Sequence, residues 1–349
     1  ITTAGELESL RDEWNALLAE SGGDSVFLTW EWVSTWWRIY GNRHELFILL
    51  LTDRGSGRWM GIASLMRVQT PVASLPLVRR LRFIGEGEPV CPDYMDFIFR
   101  KGHEGVCLLR VVEFLEAHRR DWDVLELATV PEESETLRDL PRLSVSRGLT
   151  MRWHREVPSP CIHLPEDYEA YLTSLSANRR GQVRNKRARL GRGHQVEFGA
   201  YEKRDQLEEG LEHLIRLNLE RFHALGKETP FSVPRFVAFH RELIGGSQER
   251  GWPRMPYLKL DGRIVAIRYG FLYHGTWYDY NAGFDPAFEK VSVSHVLIAE
   301  CIRTCIEEGA RVFDFLAGPH PHKLTYTNAT RRMYSLTVEN DSPRAALAV

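Results

Sequence analysis

The chain has 349 residues, 43% of them hydrophobic and 26% charged. That composition excludes disorder as the dominant state, and the length suits two domains of roughly 150–200 residues. Lys and Arg total 45 against 47 Asp and Glu, a net charge of −2, which argues against dedicated non-specific nucleic-acid binding and leaves room for a local basic patch only.

Ten tryptophans point to large cores or aromatic-walled clefts. Cys91, Cys107, Cys161, Cys301 and Cys305 are odd in number and scattered, with no C-x-x-C pair, so a reducing, cytoplasmic setting is expected. Cys301 and Cys305, one helical turn apart, read as buried thiols on a core face. No apolar run approaches the roughly 18–20 residues of a membrane span, and no signal peptide is visible.

Residues 4–20 carry Leu7, Leu10, Trp14, Leu17 and Leu18 at helical spacing, and residues 30–40 read as a second helix. Strand-like runs follow at 46–52, 59–68 and 80–84, then a loop at 89–93 and a strand at 94–99. A helix over 105–118, a buried strand at 124–127, a helix over 133–148 and a strand at 150–155 complete a mixed α/β layer. Pro158-Ser159-Pro160 marks the expected boundary between a domain over 1–158 and a second over 159–340, with a loose tail at 341–349.

Beyond that boundary the pattern starts again. A helix begins at 167, a basic segment follows, 195–201 is strand-like, and helices cover 202–225 and 231–246. Three strands come next (255–260, 263–273 and 275–282), the first two joined by the hairpin turn Asp261-Gly262. A helix over 292–309, a strand at 312–316 and a final strand at 332–338 close the reading. The halves share a plan of helices, antiparallel meander, helix and strand, so two structurally related domains are expected.

Residues 261–266, residues 278–285, Phe313-Asp314-Phe315-Leu316-Ala317-Gly318 and His322-Lys323 resemble the C-terminal half of GNAT-fold proteins. More narrowly, they resemble the acetyltransferase group associated with cellulose biosynthesis and related to Fem-type peptidyltransferases. Residues 27–32, Asp93-Tyr94-Met95-Asp96 and residues 176–190 extend the resemblance over residues 5–338. It implies an α/β (α+β) protein of two tandem GNAT-like domains, each a mixed, mostly antiparallel sheet flanked by helices. It also implies a cytoplasmic N-acyltransferase that moves an acyl group, acetyl by expectation, from acyl-CoA to an amine acceptor by direct attack. The site is expected in the second domain and the cleft between domains, with no metal.

In that fold a helix N-terminus after the central strand receives the pyrophosphate. Here the resemblance assigns this to Ser292 and Ser294, with Lys290 adding charge. Many acyl-CoA binders place glycine at the turn, and this chain has none from Val291 to His295; a plain serine N-cap is the other reading. Arg180, Arg184 and Arg187 form one helical stripe in an acid-free run that includes Arg179, Lys186, Arg189 and Arg192. Such a run suits CoA phosphates, a tRNA end or a phosphorylated lipid carrier, or is a solvated face.

By resemblance Lys323 matches the lysine of the Fem-type Gly-x-x-x-x-Lys loop, lies at the reaction site beside Asp314 and steadies an oxyanion or a phosphate. His322 stands where the family more often has Tyr, and can take a proton near neutral pH. His320 and His322 alternate, but a metal reading lacks a third ligand. Strand alternation puts Tyr278 and Tyr280 on one face, Asp279 and Asn281 on the other. Asp279 reads as base or amine anchor, Tyr280 as acid for the leaving thiolate and Tyr278 as a substrate contact, against a sheet edge with one polar face. Asp93 and Asp96 bind the acceptor amine by resemblance only. Two rivals stay open: aminoacyl-tRNA-dependent, Fem-like transfer, and a non-catalytic GNAT-like binding module.

Overall fold

The computed structural model describes residues 1–72 and 75–347. The chain divides into two compact units, one made of Ile1–Val157 with the residues from Arg332 onward, the other of Pro158–Arg331.

In the first unit, α1 (Ala4–Glu8), α2 (Arg11–Ala19) and α3 (Trp30–Tyr40) precede β1 (Glu45–Thr52), β2 (Trp59–Val72) and β3 (Leu75–Phe83). Then come β4 (Ile98–Phe99), α4 (Glu104–Ala117), β5 (Val124–Pro131), α5 (Glu135–Val145) and β6 (Thr150–His163), which the chain follows into the second unit. The order β1-β2-β3-β5 is closed beside β5 by residues 332–339 of the C-terminal strand. Every pairing here is antiparallel except β3 with β5. The tryptophans supply the core: Trp14, Trp32, Trp36 and Trp122 are fully buried. The indoles of Trp14 and Trp30 donate to the carbonyls of Leu28 and Leu7, each at 2.8 Å. α3 starts because the Thr29 hydroxyl accepts from the Trp32 amide.

Three expectations change here. The strand expected over 94–99 shrinks to Ile98–Phe99, because Tyr94 takes a positive φ of 55° and turns the chain. Pro158-Ser159-Pro160, where the second unit begins, lies within a strand. Proline removes only a donor, and the carbonyls of Pro158 and Pro160 accept from Gly318 and Phe315, both at 3.1 Å. The C-terminal strand ends in the first unit, since Met333 to Glu339 pair with β5. The tail up to residue 347 is partly anchored: the Ser342 hydroxyl donates to Asp123 (2.8 Å) and Ala345 is buried. Residues 348–349 of the expected tail lie outside the described residues.

The second unit continues with α6 (Tyr168–Ser174), α7 (Ala177–Gly193), β7 (Val196–Tyr201), α8 (Arg204–Ala224) and α9 (Pro234–Ser247). β8 (Pro253–Leu260), β9 (Arg263–Tyr273), β10 (Thr276–Phe284), α10 (Val293–Glu307), β11 (Val312–Asp314), α11 (Pro321–Leu324) and β12 (Ala329–Glu339) follow. Its strands run β6-β11-β10-β9-β8-β7, antiparallel except for β10 with β11. α10 lays Val293, Val296, Leu297, Ile302 and Ile306 into the core. Both units are thus mixed α/β layers with mostly antiparallel sheets and flanking helices.

α8 lies very close to β10. A Cβ placed on Gly283 would sit 2.6 Å from the Asn218 amide nitrogen and 2.9 Å from the Leu217 Cβ. Gly283→Ala is therefore expected to destabilise the protein by about 1–3 kcal/mol. Urea unfolding should show a lower midpoint at unchanged slope, and an unchanged midpoint would mean that α8 yields freely.

Candidate functional site

β10 and β11 run parallel through only three pairs, Thr276–Val312, Trp277–Phe313 and Tyr278–Asp314. β11 then stops, while β10 continues to Phe284 along β9 with a bulge between Asp279 and Asn281. The two strands part, and a wedge opens between residues 279–284 and residues 315–318.

Each side of the wedge is held by polar contacts that satisfy its irregular backbone. On the β10 side, the Asn218 amide of α8 donates to Asn281 Oδ1 (3.2 Å) and to the Ala282 carbonyl (2.8 Å). Its own oxygen accepts from the Thr229 hydroxyl at 2.6 Å. On the other side Asp314, fully buried, accepts from the Leu316 amide (2.8 Å) and the Ser159 hydroxyl (3.1 Å), while Arg331 approaches to 3.4 Å. Leu316 has φ 60°. The Lys323 ammonium donates to the carbonyls of Leu316 (3.1 Å) and Ala317 (2.8 Å). Asp314 and Lys323 thus meet through the turn they both hold.

The turn into α10 is unusual. Ser292 is the N-cap residue with φ 61° and ψ 40°, and its side chain makes no capping bond. The plain serine cap is therefore not what forms. The left-handed geometry that glycine ordinarily provides is present without glycine. The Ser292 carbonyl accepts from the Val296 amide at 3.1 Å, and the amides of the preceding first turn point out of the helix end as donors. Val293 is fully buried and Val291 packs against the same core. Lys290 is exposed and Ser294 half-buried.

Arg268 of β9 and Asp279 of β10 form a buried ion pair with two hydrogen bonds, Nε to Oδ1 at 2.7 Å. Burial opposes the Arg268 charge, and Asp279 more than restores it, so its pKa is raised. His322 is pushed down to about 4 by burial and then by Arg268 and Lys323. His295, whose Nδ1 lies 3.0 Å from the Tyr326 hydroxyl, is likewise pushed down to about 4 by burial, Lys186 and Arg268. Arg221 stacks on Phe284, 4.8 Å from the ring centroid, with its pKa lowered by burial and by Arg268.

Asp279, Tyr280, His322 and Lys323 therefore gather around the wedge, with two revisions. Asp279 is committed to Arg268, which removes it as a free base. The bulge at Tyr280 also breaks the strict alternation expected of 278–281, and Tyr280 packs 5.1 Å from the His240 ring and 5.9 Å from Tyr269. Tyr278 is buried.

On α7, the acid-free run acquires acids from other helices. Arg184 pairs with Glu169 at 2.6 Å, and Arg187 pairs with Glu300 and lies over Phe198. Of the stripe only Arg180 makes no ion pair among the described residues. Asp93 and Asp96 belong to the first unit and are buried; Asp96 accepts from the Ser134 hydroxyl and the Phe97 amide. Among the described residues no cluster of three or more His, Cys, Asp or Glu is placed to hold a metal ion.

Sequence reasoning missed Arg268, Asn218, His295 and Tyr326. Arg268 left a signal: it is the one charge inside the apolar run from Ile264 to Phe271, opposite a hairpin strand that carries Asp279. The others lie on ordinary helical or loop sequence, and only the packing brings them to the wedge.

A parallel strand pair that parts beside a helix N-terminus, in a mostly antiparallel sheet flanked by helices, is the GNAT acyltransferase fold. Residues 177–324 match the family model described as an acetyltransferase (GNAT) domain. Among solved structures, FemX aligns over 97% of this chain and 98% of its own, at 13% identity and TM-score 0.64. A conserved protein of unknown function from Bacteroides thetaiotaomicron aligns over 97% and 99%, at 13% identity and TM-score 0.62. The C-terminal domain of a putative lysylphosphatidylglycerol synthetase from Agrobacterium fabrum aligns over 99% of this chain and 95% of its own, at 14% identity and TM-score 0.57. These likenesses establish the fold. No curated protein matches.

Two measurements test this description. Arg268→Leu, which strands Asp279, should cost about 3–5 kcal/mol, while Arg268→Met with Asp279→Leu should recover most of it; additive losses in denaturant titrations would contradict the pairing. In the first unit, burial lifts the Asp96 carboxyl to about 6. A folded pKa above the unfolded one means stability is greatest below about pH 4 and falls as pH rises through about 6, by a few kcal/mol in all. Asp96→Asn should flatten that decline in melting temperature against pH, and an identical profile would remove the buried acid as its cause.

Proposed function

We propose that the second unit is an N-acyltransferase of the GNAT type that takes its acyl group from acyl-CoA and passes it to an amine. The observation that carries this reading is the wedge between β10 and β11 joined to the left-handed Ser292 turn. An extended thioester arm fits against the unpaired strand edges, and its phosphates fit the first-turn amides of α10, where the helix dipole favours negative charge. Val291 and Val293, the side chains best placed to obstruct such a turn, are packed into the core instead, which favours an acyltransferase over a non-catalytic module.

In the transfer, the neutral amine attacks the acyl carbonyl, the N–C bond forms, the C–S bond breaks, and the amine proton ends on the departing thiolate. Tyr280 at the bulge is the proposed relay: its hydroxyl proton goes to sulfur and the proton lost by the amine restores that hydroxyl, so the net transfer is from amine to thiolate. Lys323, fixed by two carbonyls, lends positive charge to the developing oxyanion. His322, neutral throughout the physiological range, orients the amine by hydrogen bonding; at about 4 it is too weak a base to hold the proton. Asp279 acts one step back by keeping Arg268 in place.

A second reading, transfer from aminoacyl-tRNA, is favoured by one feature. Arg179, Arg189 and Arg192 on α7 are exposed and make no ion pairs among the described residues, so that helix keeps a basic face.

Calorimetry with CoA and acetyl-CoA tests the first reading. Saturating ligand at 100 times its Kd should add about 2.7 kcal/mol to stability. Ser292→Gly should keep or improve affinity, whereas Ser292→Val should lose about tenfold, because a β-branched residue resists the left-handed turn. Absence of binding by both ligands would overturn the acyl-CoA reading, and charged tRNA would then be titrated against an Arg179→Ala, Arg189→Ala, Arg192→Ala variant.

A further inference from the structure

Two cations of the second unit, Lys186 of α7 and Arg221 of α8, are half-buried without an anion to answer them. Among the described residues neither makes an ion pair or a hydrogen bond. Burial pushes the pKa of both down, as the largest cause in each case. The Arg221 guanidinium rests on the Phe284 ring, 4.8 Å from its centroid, and the exposed Glu289 offsets the lowering only weakly. Their neighbours behave otherwise. Arg184 and Arg187 of α7 pair with Glu169 and Glu300, and Arg216 of α8 pairs with Glu220 at 3.0 Å. A desolvated cation is costly unless a negative charge stands beside it.

Both lie by the connection from β10 to α10. A 3-10 turn, Pro286–Val291, carries the chain from Phe284 to the left-handed Ser292 turn, and α7 and α8 both pack on it. Arg221 stacks on the last residue of β10, which is four residues past Tyr280 and about 13 Å along the strand from it. Lys186 acts on His295 in the first turn of α10 and helps to lower its pKa. Two unmet cations beside the first-turn amides of a helix call for more than one negative charge, which a single carboxylate does not supply.

We propose, resting on the acyl-CoA reading, that Lys186 and Arg221 each pair with a phosphate oxygen at the nucleotide end of the donor. They thereby select a phosphorylated thioester over one that has lost its phosphates. The planar guanidinium suits the edge of a phosphate, and the ammonium a single oxygen.

The test uses the full chain and the variants Lys186→Met and Arg221→Met. In isothermal titration, CoA should bind each variant about tenfold more weakly than the wild type. S-acetylpantetheine, which carries no phosphate, should bind all three proteins alike. Without ligand, both variants should unfold in urea at the wild-type midpoint or above it, because the charge removed had no partner; a purely structural role would lower it. Unchanged CoA affinity in either variant overturns the proposal, as does an equal loss with S-acetylpantetheine. If CoA binds none of the proteins, the acyl-CoA reading falls and inorganic pyrophosphate decides this one. Saturable stabilisation of the wild type that both variants lack would keep the phosphate seat, and its absence would overturn it.

Discussion

β10 cannot stay paired with β11 beyond Tyr278 and Asp314, and the rest of the second unit is arranged around that limit. Parting two central strands strips hydrogen-bond partners from both, in the interior where such groups are costly to leave unmet. The structure meets the cost from outside the pair. Asn218 reaches from α8 to the bulged strand, and the prolines of β6 accept the amides of Phe315 and Gly318. Asp314 takes the Leu316 amide, and Lys323 takes two carbonyls. These are different residue types on distant stretches of chain, and what they share is the backbone they satisfy. The wedge is therefore a maintained opening, which a site for an extended ligand requires.

The Arg268–Asp279 pair adds the second constraint. An ion pair this deep contributes little net stability, because desolvating both charges offsets their attraction. Its consequence is electrostatic. A full positive charge, fixed and only locally compensated, sits within reach of His322, His295 and Tyr326. It combines with burial to keep both histidines neutral. A neutral imidazole can hydrogen-bond an amine without repelling it, whereas an imidazolium there would compete with an ammonium substrate.

Much of the architecture was legible in the sequence. The tryptophan-rich α3, the Asp261-Gly262 hairpin and the apolar face of α10 all follow from periodicity and turn chemistry. What was not legible has identifiable reasons. At Ser292 a plain cap and a phosphate contact both stayed open, and nothing local announces a left-handed serine. For Asp279 and Asp314 the sequence shows the carboxylates and not what holds them. Their partners Arg268, Ser159 and the Leu316 amide come from other elements, and no one-dimensional pattern lists them.

The basic helix α7 shows why single-sign runs need three-dimensional reading. Arg184 and Arg187 are absorbed by acids from α6 and α10, and Arg187 also covers Phe198. Those two arginines fasten the helix and carry no free charge for a ligand. Arg180 on the same stripe makes no such pair, and Arg179, Arg189 and Arg192 stay exposed, so a residual basic face survives the folding of the unit. Lys186 points a weakened cation, its pKa lowered by burial, toward His295 at the start of α10. The helix thus divides its charge between holding itself down and biasing the α10 turn toward anions. That division is independent of whether the anion belongs to a nucleotide thioester or to the end of a charged RNA.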